Sequence, residues 1–381
     1  MKKEKLVMIP GPSPVAYPIR GEMAREIQAF GDPGFVKDYK GLIDDLGKLF
    51  NCKGLTFPLA GTGTLAMEMS IANSTKRGDS VLVVSNGFFG DRFVEICERK
   101  GLNVDVIAAE WGDCICAEEI DEKLARKDYA AMTVTHVDTS TAASAPVAEI
   151  GAVAMKYPGT VYIVDGIAAT GAEFTDVDGM GIDILFTGSQ KAFGVCPGMF
   201  VLWAGEKALE RRKSLGVIPE YYVDFDNWAP IMLDPAKYFA TPAINLVWSM
   251  KKATQIIAEE GLRERHDRHH KNAAAARKAL ESIGLNILAK PGCQACTLSN
   301  VIYPAGLDDR KFRCAMINEG VIVAGALGAY AGKAFRIGHM GNIDINDMVV
   351  MLCAVERSLK ACGADVKPGA LVGAYIEEMG A

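Results

Sequence analysis

Between about residues 55 and 205, short apolar runs alternate with segments of helical periodicity. The runs Ser80-Val81-Leu82-Val83-Val84, Ala131-Met132-Thr133-Val134, Val161-Tyr162-Ile163-Val164 and Ile184-Leu185-Phe186 carry almost no polar residues. A strand with one wet face alternates apolar and polar positions, whereas a strand that is apolar throughout is covered on both faces. Such strands between helices predict a parallel sheet in an α/β domain. The pattern breaks near residues 224–248 into a segment rich in Trp, Tyr, Pro and Asp, and helical periodicity then runs through roughly 246–283. Inside that stretch, Arg263-Glu264-Arg265-His266-Asp267-Arg268-His269-His270 holds three of the five histidines, which admits a metal-site reading, but its charges alternate at helical spacing, and a solvated face is the preferred reading. From about residue 285, strand signals at Leu285-Asn286-Ile287-Leu288 and Thr297-Leu298-Ser299-Asn300-Val301-Ile302 alternate with helical segments, predicting a smaller α+β domain.

In open α/β sheets ligands sit beyond the carboxyl ends of the strands, and the residues with useful chemistry fall there. Asp165 closes the run 161–164, and Lys191 lies just past the next run in Thr187-Gly188-Ser189-Gln190-Lys191. A lysine amine able to form a Schiff base with an aldehyde, beside a carboxylate able to keep a pyridine nitrogen protonated, is the pair that pyridoxal phosphate chemistry requires. Ser189 and Gln190 bring a hydroxyl and an amide to a tight turn. The loop Gly61-Thr62-Gly63-Thr64 runs into the helical pattern Leu65–Ile71, and free N–H groups at a helix N-terminus attract a phosphate. Arg336 stands in the apolar stretch Lys333-Ala334-Phe335-Arg336-Ile337-Gly338. A half-buried guanidinium needs an anionic partner, either an internal acid or a bound carboxylate.

Composition narrows the classes further. A chain of 381 residues exceeds the size at which one core keeps growing, which favours a large and a smaller domain. A formal net charge of -6 gives no general attraction to nucleic acid or to anionic membrane. No apolar stretch approaches the ~20 residues needed to cross a bilayer, and Met1-Lys2-Lys3-Glu4 is followed by no signal-like segment. A cytoplasmic location with ten reduced cysteines is the expectation. Cys293-Gln294-Ala295-Cys296 is a lone CxxC, so no metal site is expected.

Six motifs in order carry a resemblance. Gly61-Thr62-Gly63-Thr64, Asn86-Gly87-Phe88-Phe89-Gly90-Asp91-Arg92, Thr135-His136-Val137-Asp138-Thr139-Ser140-Thr141, the Asp165 strand, Gly188-Ser189-Gln190-Lys191 and Phe335-Arg336-Ile337-Gly338 resemble the class V aminotransferases. Within these the similarity is to the alanine-glyoxylate and serine-pyruvate branch, from Pro10-Gly11-Pro12 to the C-terminal helices. The resemblance implies the fold type I of pyridoxal 5'-phosphate enzymes, with a mostly parallel seven-stranded sheet. It implies a large domain over 20–258, and a smaller one formed by 1–19 with 259–381. It further implies that Phe89 stacks on the cofactor ring, Thr139 reaches its ring oxygen, Ile167 packs beneath it, and Gly61, Thr62, Gly63, Thr64 and Gln190 serve the cofactor. Tyr238 and Thr241 match phosphate contacts supplied across a homodimer, Gly11 lets the N-terminal segment approach the substrate, and Arg336 holds the substrate carboxylate. The implied reaction is a ping-pong transfer of an amino group, through a Lys191 internal aldimine, from alanine or serine to glyoxylate or pyruvate.

The chain departs from many relatives at Ala168-Ala169, where paired small polar residues are usual, and at Ala29-Phe30-Gly31, where Gly-His is usual. Both departures bear on substrate choice. Arg336-Ile337-Gly338-His339-Met340-Gly341 also resembles the pyridoxamine-pyruvate aminotransferases. A cysteine desulfurase or lyase on the same fold would need a cysteine in Val323–Tyr330, which has none. A dinucleotide-binding reading fails because the glycine spacing after Gly63 does not match G-x-G-x-x-G.

Overall fold

The computed structural model describes residues 4–380. Helix α1 (Pro33–Leu49) illustrates how local sequence sets an element. Asp32 caps it by accepting from the N–H groups of Gly34 and Phe35, and Pro33 supplies a preset φ at the first position. Phe35, Tyr39, Leu42, Ile43 and Leu46 then fall on one face, which is buried.

The apolar runs form a seven-stranded sheet. Its strands are β1 (Leu55–Ala60), β2 (Ser80–Ser85), β3 (Asn103–Ala108), β4 (Ala131–Thr135), β5 (Val161–Asp165), β6 (Ile184–Gly188) and β7 (Met199–Ala204), in the spatial order β1-β7-β6-β5-β4-β2-β3. Pairings among β2 to β6 are parallel, and β7 alone is antiparallel, to both β1 and β6. Because β1 and β6 both oppose β7, β1 points the same way as β2–β6, so six carboxyl ends share one edge. Strands β4 to β7 are buried at every position, as their unbroken apolar sequences require. Helices α2 (Gly63–Ser74) and α3 (Phe88–Lys100) leave that edge after β1 and β2.

The segment 224–248 contains more helix than its composition suggests. Asp224 caps α4 (Phe225–Leu233) by accepting from Asp226 N at 2.9 Å. The periodic stretch read as one helix over 246–283 is two, α5 (Ile244–Glu260) and α6 (Leu262–Ser282), broken at Gly261 with φ +87°. The solvated-face reading of 263–270 holds for Arg263, Glu264, Asp267 and His270, which are exposed, and is corrected at Arg265 and His269. Arg265 and His269 are fully buried. Arg265 donates to the carbonyls of Gly171 (2.7 Å) and Ala192 (2.8 Å) and pairs with Glu260, while His269 bridges Arg265 O (2.7 Å) and Gly341 N (3.0 Å). Periodicity reports polarity, and these polar groups turn inward because each finds a partner there.

A second, antiparallel sheet has the order β8-β9-β11-β10, built from β8 (Asn286–Ile287), β9 (Leu298–Ile302), β10 (Ala324–Gly325) and β11 (Ala334–Gly338). It shares a separate hydrophobic cluster with α6, α7 (Ile345–Ala361) and α8 (Ala370–Met379). Met8 belongs to that cluster, and Leu6–Val7 pair in parallel with Val321–Ile322. The N-terminal segment is therefore anchored by this two-stranded ladder, and by the bond from Gly338 N to Met8 O at 2.8 Å, before it reaches Lys191 at the edge of the large sheet.

Candidate active site

At the common carboxyl edge lies a cavity of about 200 Å³, lined by Thr62, Gly63, Thr64, Phe89, Thr139, Asp165, Ile167, Gln190 and Lys191 among others. The structure therefore gathers nine of the residues singled out from sequence at one place.

Each is positioned by its strand. Asp165 ends β5 opposite Thr135 and Phe186, and its Oδ1 accepts from Ile167 N at 2.9 Å. That is the only hydrogen bond its side chain makes among the described residues. Burial, the largest influence, pushes its pKa up to about 7; the Ile167 N–H opposes this, Asp138 reinforces it, and Lys191 and Arg92 oppose it. Lys191 follows β6 in a turn whose carbonyl accepts from Ser13 Oγ at 2.6 Å. Its buried amine is lowered to about 8, first by burial and then by the charge of Arg336, with Asp165 acting the other way. Lys191 Nζ donates to Pro10 O.

The loop after β1 keeps its donors free. Gly61 adopts φ +151°, and Thr62 begins α2 without a side-chain cap. The N–H groups of Thr62, Gly63 and Thr64 have no partner among the described residues. A Cβ on Gly63 would fall 2.1 Å from Ile167 Cδ1, so Gly63 is what lets Ile167 lie against this loop.

Arg336, on β11, donates through Nε to Gly325 O (2.8 Å) and through a terminal nitrogen to Thr139 O (3.1 Å). It forms no salt bridge with an acid among the described residues, so the internal-pair alternative is not what the structure contains. Burial lowers its pKa to about 10, against the pull of Asp138. Gly11 lies beside Lys191 with φ +97°. Tyr238 and Thr241 are not in the cavity lining; Tyr238 is 61% exposed and packs on Phe30 at 4.9 Å.

Two residues of the site were given no role from sequence. Asp138 accepts from the N–H groups of Phe89 (2.8 Å), Gly90 (3.2 Å) and Ser140 (2.8 Å) and from Ser140 Oγ (2.7 Å), fixing the start of α3 against the β4 loop. Arg92 lies over the Phe89 ring at 4.8 Å, donates to Thr64 Oγ1 at 3.0 Å and lines the cavity. Its signal was available: in Phe88–Arg92 it stands one helical turn after Phe88 and on the cavity side of α3.

A half-buried lysine and a buried aspartate on one cavity, a helix N-terminus with free amides beside them, and an arginine without an acid partner reaching Thr139 from the second sheet form a candidate group-transfer site on an α/β scaffold. The sequence model of the class-V aminotransferases matches residues 56–329, and the chain belongs to that family. It is an aminotransferase, similar to serine–glyoxylate and alanine–glyoxylate aminotransferases among others. It is 37% identical to an aminotransferase of Methanocaldococcus jannaschii, over 96% of this chain and 95% of that one. It is 32% identical to the serine–glyoxylate aminotransferase of Hyphomicrobium methylovorum, over 97% of this chain and 93% of the relative. The crystal structure of an alanine–glyoxylate aminotransferase from Nostoc superposes with a TM-score of 0.90 at 30% identity, covering 94% of this chain and 96% of that one. No helix among the described residues is long and apolar enough to cross a membrane.

Proposed function

We propose that this aminotransferase uses pyridoxal 5'-phosphate to move the amino group of a small L-amino acid, alanine or serine, to glyoxylate or pyruvate. The observation that carries the reading is the convergence of Lys191, Asp165 and the amides of residues 62–64 on one cavity, with Arg336 adjoining through Thr139. These residues fit the cofactor. The free N–H groups suit its phosphate, the unpartnered Oδ2 of Asp165 suits a protonated ring nitrogen, and Phe89, clamped by Arg92, suits the ring face. When bound, the cofactor supplies an aldehyde for Lys191 and a ring that withdraws electrons from the substrate Cα.

The protein's own groups do the rest. Arg336 holds the substrate carboxylate by two parallel hydrogen bonds, orienting Cα toward Lys191. The Lys191 amine, its basicity reduced by burial and by Arg336, takes and returns the Cα proton near neutral pH. Asp165, in this reading ionised once a cation stands against it, holds the ring nitrogen's proton in place. Product 2-oxo acid leaves before the second 2-oxo acid enters, because one arginine serves both carboxylates in turn. Glyoxylate is favoured as acceptor by the names of the serine–glyoxylate and alanine–glyoxylate relatives.

Two copies complete the site in this reading, with Tyr238 and Thr241 of one reaching the phosphate of the other. Their exposure, and that of Phe30 and Tyr221 nearby in the chain's apolar surface, supports it. The test is a visible spectrum of the protein loaded with pyridoxal phosphate, before and after adding L-alanine or L-serine without any 2-oxo acid. A change of the cofactor band with release of pyruvate or hydroxypyruvate supports the reading and identifies the donor. A band that neither amino acid alters overturns the donor assignment, and a Lys191→Ala protein that still transaminates overturns the site.

A further inference from the structure

Four metal-ligating side chains that no step of the transamination uses converge on the far side of the Lys191 segment. His266 and His270 stand one turn apart on α6, with ring centroids 4.2 Å apart. Glu173 comes from the loop after β5, and Cys296 from the segment before β9. One ligand atom from each lies within 4.8 Å of all the others. Glu173 Oε2 is 3.2 Å from His270 Nε2 and 3.7 Å from His266 Nδ1, and Glu173 Oε1 is pinned by Cys296 N at 2.8 Å. Bond lengths of ~2.0–2.3 Å to a tetrahedral zinc ion put ligand atoms ~3.3–3.7 Å apart, so the two measured separations lie close to that spacing.

We propose that Glu173, His266, His270 and Cys296 form a tetrahedral zinc(II) site that ties the large sheet's loop to the small domain. Two imidazoles, a thiolate and a carboxylate are the donor set a borderline-soft ion takes, and two anionic ligands neutralise its charge. Glu173 and Cys296 are buried, whereas the His270 side chain is 46% exposed and gives the ion a route from solvent. On binding, the Cys296 thiol loses its proton to solvent as the Zn–S bond forms. Arg277 donates to Ala295 O at 2.9 Å beside it. His266 Nδ1 also accepts from Phe174 N at 3.1 Å, so coordination through that atom exchanges this hydrogen bond for the metal. Cys296 packs with Ala172, Ala192, Ala273 and Met340, so the ion would brace the residue that follows Lys191.

The experiment uses the holoenzyme dialysed against a chelator and titrated with cobalt(II), then zinc(II). One cobalt per chain, with tetrahedral visible bands and a thiolate charge-transfer band, is the expected result. Zinc should displace it and raise Tm by about 5 °C. His266→Gln/His270→Gln should weaken binding by ~100-fold, and Cys296→Ser should abolish the charge-transfer band. Circular dichroism and the visible spectrum of bound pyridoxal phosphate report whether each variant is folded, and the wild-type titration decides the matter if none is. Absence of saturable binding overturns the proposal. So does binding that survives the double histidine variant, or that is lost in Cys114→Ser/Cys293→Ser, since Asp113, Cys114 and Cys293 form a separate cluster.

Discussion

Gly11 lies directly against Lys191: a Cβ on Gly11 would stand 2.5 Å from Lys191 Cδ and 2.7 Å from its Nζ. Its φ of +97° is also one that L side chains rarely adopt. The N-terminal segment thus shapes the space in which the lysine moves, and, two residues on, Ser13 holds the lysine's turn through Lys191 O. Gly11→Ala must displace either the segment or the amine. Steady-state kinetics should show kcat/KM reduced by ~10²-fold with circular dichroism unchanged, the scale of a misplaced reacting group. Wild-type rates in this variant would mean that the segment does not constrain Lys191.

Arg336 spends two donors on the carbonyls of Gly325 and Thr139 and keeps the rest of its fork for a ligand. Lysine supplies the charge but neither the fork nor the two anchors. For Arg336→Lys, KM for both the amino acid and the 2-oxo acid should rise by ~10–100-fold, with a smaller fall in kcat. Equal loss of kcat at saturation, with KM unchanged, would place the residue outside carboxylate binding.

The sequence makes the central sheet legible because strands buried on both faces have no polar positions to blur them, as in Val161–Val164. Asp165 and Lys191 stand out because strand ends in such sheets point at the ligand edge. Gly261 is a different case, since its positive φ, which glycine adopts readily, lies inside an otherwise helical pattern and only the packing of α5 against α6 decides whether the helix bends or breaks. Arg265 and His269 look like solvent-facing charges until the carbonyls of Gly171 and Ala192 are brought to them from far along the chain. The Glu173 and Cys296 pairing is hidden for the same reason: 123 residues separate them, and the CxxC that draws the eye contributes only one of its cysteines.

Asp138 joins the loop after β4 to the first turn of α3 through the N–H groups of Phe89 and Gly90, and braces its own loop through the N–H and hydroxyl of Ser140. Burial raises its pKa and those donors oppose the rise. In Asp138→Asn an NH2 group faces N–H donors and leaves at least one unsatisfied. That should cost about 3 kcal/mol, read as a Tm lower by ~4 °C in a chain of this length. Phe89 is held by the same carboxylate, so affinity for pyridoxal phosphate, measured by fluorescence titration of the cofactor-free protein, should fall as well. A Tm within a degree of wild type would show that the loop has another anchor.

The charges around Lys191 predict how its reactivity responds to pH. Only the neutral amine is nucleophilic, and burial together with Arg336 lowers its pKa to about 8. In the cofactor-free protein, competitive labelling with an amine reagent, read by mass spectrometry, should show Lys191 reactivity rising about tenfold per pH unit below 8 and levelling above it. Ordinary solvent-exposed lysines keep gaining to about pH 10.4. The signs for the neighbours are opposite. Arg336→Ala removes a positive charge that disfavours the ammonium form, so the midpoint moves up; Asp165→Asn removes a negative charge that favours it, so the midpoint moves down. A midpoint unchanged in both variants would mean that burial alone sets the lysine's pKa and that the three residues do not share one electrostatic site.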